Sequence, residues 1–184
     1  MNEFSFPVTS LISREGLGYA LKKTLDKNAP VVVCVGTDAL IGDSLGPITG
    51  SMLSEKNLPL FVYGTLEKPV TAKEVTYIHR FLKQAHPYSK VLVIDAAVGK
   101  REEVGRIKLF DKGLKPGLGA DKNLPLIGDV SIIGVVAEKS PSNRVLTTFT
   151  RLGYVYRFAK TISEAVTDYV DSLSSSALFL GVNY

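Results

Sequence analysis

Four runs of the chain are continuous, β-branched and bounded by turn residues: 30-PVVVCVG-36, 58-LPLFVYG-64, 90-KVLVIDAAVG-99 and 129-DVSIIGVVA-137. A strand without polar alternation must bury both of its faces, which restricts the chain to a sheet covered above and below. Helical patterns fill the gaps. Residues 10–28 carry Leu11, Leu17, Leu21 and Leu25 near one face, and residues 44–56 carry Leu45, Ile48, Met52 and Leu53. In 71-TAKEVTYIHRFLKQAH-86, Thr71 and Glu74 have capping-box spacing ahead of Val75, Ile78 and Leu82. The last helix repeats Tyr154, Phe158, Ile162, Ala165, Val166, Tyr169 and Leu173 at three and four, and the Ser-rich 172-SLSSS-176 is expected to end it.

Strands joined by helical crossovers predict a mostly parallel sheet with helices on both faces, a three-layer α/β architecture. No repeat, linker or low-complexity stretch divides residues 1–184, so one α/β domain is expected. The alternating 104-VGRIKLFD-111 reads as a half-exposed edge strand. The Gly- and Pro-rich 111-DKGLKPGLGADKNLPLIGD-129 is too long for a plain connector, and such loops often serve function.

Composition removes several classes of function. The 22 Lys and Arg against 18 Asp and Glu are scattered, with no basic stripe for nucleic acid. Cys34 is the only cysteine and lies inside an apolar run, so it reads as an inert buried thiol, with no disulfide and no Cys-based zinc site. The start, MNEFSFPVTS, does not read as a signal peptide. No apolar run reaches the ~20 residues of a membrane span, and an intracellular protein is expected.

Two aspartates stand where open parallel sheets build their sites, outside the carboxyl ends of strands. Asp43 closes the loop after the first core strand and opens its helix; Asp95 follows 91-VLVI-94 directly. An N-cap would account for Asp43 alone. A carboxylate in an apolar strand, such as Asp95, must find donors or open onto solvent, and a cleft meets that demand. Two carboxylates in one cleft divide the labour: one, ionised, takes a proton from water, and the other, protonated, polarises a carbonyl. The same pair could hold a divalent metal, but a stable site usually takes a third ligand. The only histidines, His79 and His86, fall on or just after the third helix and are expected to face solvent. Asp38 reads as an Asx turn and Asp129 as structural. No Gly-Lys-Ser/Thr follows 36-GTDALIG-42, no G-x-G-x-x-G is present, and Ser44 lacks a Gly-x-Ser-x-Gly context.

The run 36-GTDALIGDSLGP-47 resembles the signature of the spore germination protease, an atypical aspartic peptidase, and 94-IDAAVG-99 resembles the setting of its second aspartate. The motifs 36-GTD-38, 42-GDSLGP-47, 63-YGTL-66 and 114-LKPG-117 are similar to those of the shorter sporulation proteins of the YyaC type, over about residues 10 to 165. The resemblance implies a phosphorylase/hydrolase-like α/β fold shared with the hydrogenase maturation endopeptidases. It implies that Asp43 and Asp95 are catalytic and that Lys115, Pro116 and Gly117 line the substrate cleft.

In the maturation enzymes the matching acidic positions bind metal together with a histidine. None follows the strand at 129–137, so no metal or other cofactor is expected. Lys115 stands where the germination protease has histidine, and this chain is much shorter than that enzyme. The expectation is therefore a sporulation peptidase of the forespore or mother-cell cytoplasm, acting on a protein or peptide such as small acid-soluble spore proteins. A homo-oligomer is compatible with it; direct contact with nucleic acid or membrane is not expected. The rivals are an inactive binding or regulatory module and a metal-dependent maturation endopeptidase.

Overall fold

A computed structural model describes residues 3–25, 27–116, 124–139 and 150–179. Its sheet has six strands: β1 (Glu3–Pro7), β2 (Val31–Cys34), β3 (Phe61–Tyr63), β4 (Val91–Gly99), β5 (Arg106–Phe110) and β6 (Val130–Glu138). They lie in the order β1-β5-β6-β4-β2-β3. The four apolar runs form the parallel part, β6-β4-β2-β3, and β5 runs antiparallel to β6 and β1. All four residues of β2 are buried, as an unbroken apolar run in a covered sheet requires.

The helices are α1 (Ser13–Thr24), α2 (Leu45–Ser54), α3 (Val75–Ala85) and α4 (Leu152–Phe179). Helices α1, α2 and α4 share one core with Val32, Cys34, Leu92 and Ile94; α3 closes the other face over Val31, Val33, Val91 and Val93. The result is the three-layer α/β arrangement. Phe158 of α4 is wholly buried, worth about 2 to 3 kcal/mol relative to exposure. α2 lies so close to the sheet that a Cβ on Gly46 would stand 2.0 Å from the Val35 carbonyl oxygen. Among the described residues no helix is long and apolar enough to cross a membrane.

The structure departs from the sequence reading at several points. β5 is not an edge, because β1 pairs along it from Glu3↔Phe110 to Pro7↔Arg106. The first helix starts only at Ser13, leaving Leu11 94% exposed rather than on the buried face. The serines do not end the last helix, which continues to Phe179. Ser172 directs its hydroxyl to the Tyr169 carbonyl (2.7 Å), which lets a serine sit within the helix. Thr71 and Glu74 do bond each other, the Thr71 N–H and hydroxyl both donating to Glu74 Oε2, but they do not cap α3, which starts at Val75 on Glu74 with no side-chain cap.

The candidate active site

Chain direction reverses at β2 and β4. From β2 the chain crosses to β3 on one side, and from β4 it proceeds toward β6 on the other. The carboxyl ends of these two strands therefore flank the switch point at which open sheets hold their ligands. Asp43 comes from the loop after β2, and Asp95 lies on β4.

The loop after β2 is closed by its own backbone. Gly36 turns the chain at φ +140°, a conformation that favours glycine, and a Cβ there would stand 2.1 Å from the Asp43 carbonyl oxygen. The Thr37 N–H donates to that same oxygen (3.1 Å), and the Asp43 N–H donates to Leu40 (2.9 Å). A short 3₁₀ turn, Ile41–Asp43, results and packs against β4. Helix α2 begins on Ser44, whose hydroxyl donates back to Ile41 (2.7 Å), with no side-chain cap. The N-cap account of Asp43 thus fails. Its half-buried carboxyl is pushed up to about 6 by burial, against the pull of the Thr37 N–H.

Asp95 does not end its strand as the sequence suggested; it is the middle residue of β4, which continues to Gly99. It is 4% exposed, and the Ala96 N–H donates to its Oδ1 (2.8 Å). β2 stops beside Ile94, so Asp95 still sits at the carboxyl end of its neighbour.

Asp95 and Ala97 floor a groove of about 660 Å³ together with Ser131 and Ile133 of β6. Phe110, Leu114 and Leu126 wall it, and Lys112, Lys115 and Lys139 add positive charge. The root of the long loop is fastened here: Leu114 and Ile127 exchange backbone bonds (3.0 and 2.9 Å), and the buried Ser131 hydroxyl donates to the Lys112 carbonyl (2.9 Å).

The predicted site residues separate accordingly. Asp95 and the exposed Lys115 line one groove, Pro116 is buried at the loop root, and Gly117 lies outside the described residues. Asp43 does not line this groove; it stands on the turn that packs on β4 from the β2 side. Lys112, Ser131 and Lys139 were missed. For Lys139 a signal existed, since it follows the apolar run 129–137 at the carboxyl end of a core strand.

The remaining candidates take structural places. Asp38 is exposed, and Thr37, not Asp38, makes the local turn, its hydroxyl accepting the Ala39 N–H (3.2 Å). Asp129 accepts the Val91 N–H (2.8 Å) and fastens the start of β4. His79 and His86 are half-buried rather than solvent-facing, because α3 turns them into a cavity of about 280 Å³ that Val91 and Asp129 also line. His86 Nε2 shares a hydrogen bond with the Tyr63 hydroxyl (2.7 Å). Among the described residues no three His, Cys, Asp or Glu side chains gather as a metal site. Burial drives the Cys34 thiol far upward, which keeps it protonated and inert.

The profile of a family described as "Protein of unknown function (DUF1256)" matches residues 11–165. A Bacillus subtilis (strain 168) protein, "Uncharacterized protein YyaC", is 37% identical over 152 residues, covering 82% of this chain and 74% of that protein. Among solved structures, the [NiFe] hydrogenase maturation protease HycI from Thermococcus kodakarensis KOD1 is 18% identical. That match covers 80% of this chain and 99% of the other at a TM-score of 0.45.

Proposed function

We propose that this chain, which belongs to the DUF1256 family, is a peptidase that hydrolyses a peptide bond with Asp43, Asp95 and a water molecule. The observation that carries this reading is the origin of the two carboxyl groups, one on the turn that follows β2 and one on β4, the strands that flank the switch point. Their settings suit different tasks. Asp43, with its carboxyl near 6, holds a proton in mildly acidic solution and donates it toward the scissile carbonyl. Asp95, whose Oδ1 accepts the Ala96 N–H, is assigned in this reading to serve as the base toward water. Attack gives a tetrahedral intermediate, and the proton taken from water passes to the departing amine. No step needs a metal.

In this reading the protein is germination-protease-like and acts in the forespore or mother-cell cytoplasm, with small acid-soluble spore proteins as candidate substrates. Incubating it with those proteins tests the proposal. Fragments should accumulate with the wild-type chain, and their absence would leave the binding module ahead. That second reading draws on the bond between the Ala96 N–H and Asp95, which occupies one carboxylate oxygen.

The three lysines of the groove favour a substrate segment that bears carboxylates. Lys115→Glu should raise KM for an acidic unfolded polypeptide by about fivefold at low salt while leaving kcat nearly unchanged, and the effect should shrink in 0.5 M salt, where charges are screened within about 5 Å. An unchanged KM would remove Lys115 from substrate binding.

A further inference from the structure

The sheet ends at β3, which pairs with β2 on one side and with no strand among the described residues on the other. A free edge presents unpaired N–H and C=O groups, and sheets that stay solitary guard it with charge, a bulge or a covering segment. Here the edge is unguarded. The run 58-LPLFVY-63 bears no charged side chain, and Pro59 stands ahead of the strand rather than in it. Both of its faces continue as apolar surface. On the α2 face Leu58, Leu60 and Val62 are only half-buried and border a cavity of about 260 Å³ together with Leu53. On the α3 face Phe61 is 63% exposed with its ring 4.6 Å from that of His86, and Tyr63 meets Phe81 edge-on at 5.5 Å. Tyr77, one turn earlier on α3, stacks on Phe81 at 6.3 Å and is 70% exposed. An open ladder thus runs beside a band of aromatic rings.

We infer that β3 is the interface of a two-fold dimer, in which it pairs antiparallel with β3 of a second copy and joins the two sheets into one. Three features select a copy over an unrelated strand. A two-fold axis perpendicular to the sheet returns each face to its own kind, so aromatic rings meet aromatic rings, Leu60 and Val62 meet their equivalents, and no charge is buried. The strand ends match as well. Glu55 and Lys56 precede β3 and Glu67 and Lys68 follow it, all four exposed, so antiparallel pairing sets an acid and a base of one copy beside a base and an acid of the other. Finally, β3 is only three residues long, which gives a lone peptide too few main-chain bonds to hold it, whereas a second folded copy brings both flanking layers already in place. Neither Asp43 nor Asp95 takes part, so the dimer is independent of the peptidase reading.

Sedimentation equilibrium of the full chain from about 1 to about 300 µM tests it. The wild-type chain should pass from one chain mass to two and stop there, because two-fold pairing uses up the edge. Phe61→Lys puts a charge on the edge and should weaken association about tenfold, and Tyr77→Lys should weaken it in the same direction. Leu11→Ser, at a residue 94% exposed ahead of α1, should leave it unchanged. Circular dichroism at the lowest concentration reports whether each variant is folded, and where a lysine variant is not, the wild-type amide exchange decides. Across the same concentration range, the β3 amides directed away from β2 should come to exchange about tenfold more slowly. Protection of β3 that grows with concentration, with association weakened in the folded lysine variants, supports the dimer. A chain that stays single to the top of the range, a mass above two chains, a dimer whose β3 amides stay unprotected, or one that survives both lysine substitutions overturns it.

Discussion

Asp43→Asn and Asp95→Asn each lower kcat/KM toward an unfolded polypeptide by about a thousandfold, the middle of the range for a lost acid or base. Asparagine keeps the volume of aspartate and can still accept a hydrogen bond, so the Ala96 N–H retains its partner after Asp95→Asn. What disappears is the ability to exchange a proton with water or with the peptide. The loss should fall on kcat rather than on KM, because neither group is proposed to hold the substrate. Acid and base act as a unit, and the double variant should be scarcely worse than either single one. The wild-type pH profile gives a second check. Asp43 works in its protonated form, and its carboxyl sits at about 6, so kcat/KM should fall as pH rises through that value. Cleavage that persists in both variants, or a profile flat from pH 5 to 8, would end the two-aspartate mechanism.

The parallel core could be read from the sequence because burial on both faces leaves its mark on every residue. 31-VVVCV-35 and 91-VLVI-94 have no polar position to place on a surface, and both are buried throughout. β1 left no such mark. 3-EFSFP-7 is short and half-exposed, and it becomes a strand only through pairing with β5, about a hundred residues away. β5 was read correctly as alternating, with Ile107 and Leu109 inward, but alternation shows one covered face and says nothing about the hydrogen-bonding edge.

Asp95 shows the same limit within a single strand. Its charge suggested that the strand had ended, whereas β4 continues on the strength of its bonds to β6 and merely loses β2. Side-chain pattern reports which faces of a strand are covered, not which neighbouring strand it keeps along its length. The aspartates were visible because a carboxylate beside an apolar strand is costly and conspicuous. Lys112 was not, because an exposed loop lysine is ordinary until the chain folds it to the groove that Asp95 also lines.

Asp43→Asn should also make the folded protein more stable at neutral and alkaline pH. A raised carboxyl in the folded state means that the chain binds its proton more tightly folded than unfolded. Below the ordinary value of 3.8 both states are protonated and the residue costs nothing. As pH rises from 3.8 toward 6, the unfolded chain ionises first and gains, so stability falls; above about 6 the folded carboxyl ionises too and the loss levels off. The interval corresponds to about 3 kcal/mol at its limit. Asparagine has no charge to desolvate and escapes that loss. Urea midpoints of wild type and variant should therefore coincide near pH 3.5 and separate progressively to about pH 7, with the variant higher, before running parallel. The competing structural account, in which Asp43 is ionised and stabilising as the cap of α2, requires the opposite order at neutral pH, with the variant lower by about 1 kcal/mol. The absence of a side-chain cap on that helix favours the first order, and the sign of one urea shift decides between a carboxyl held under strain for chemistry and one that holds the fold.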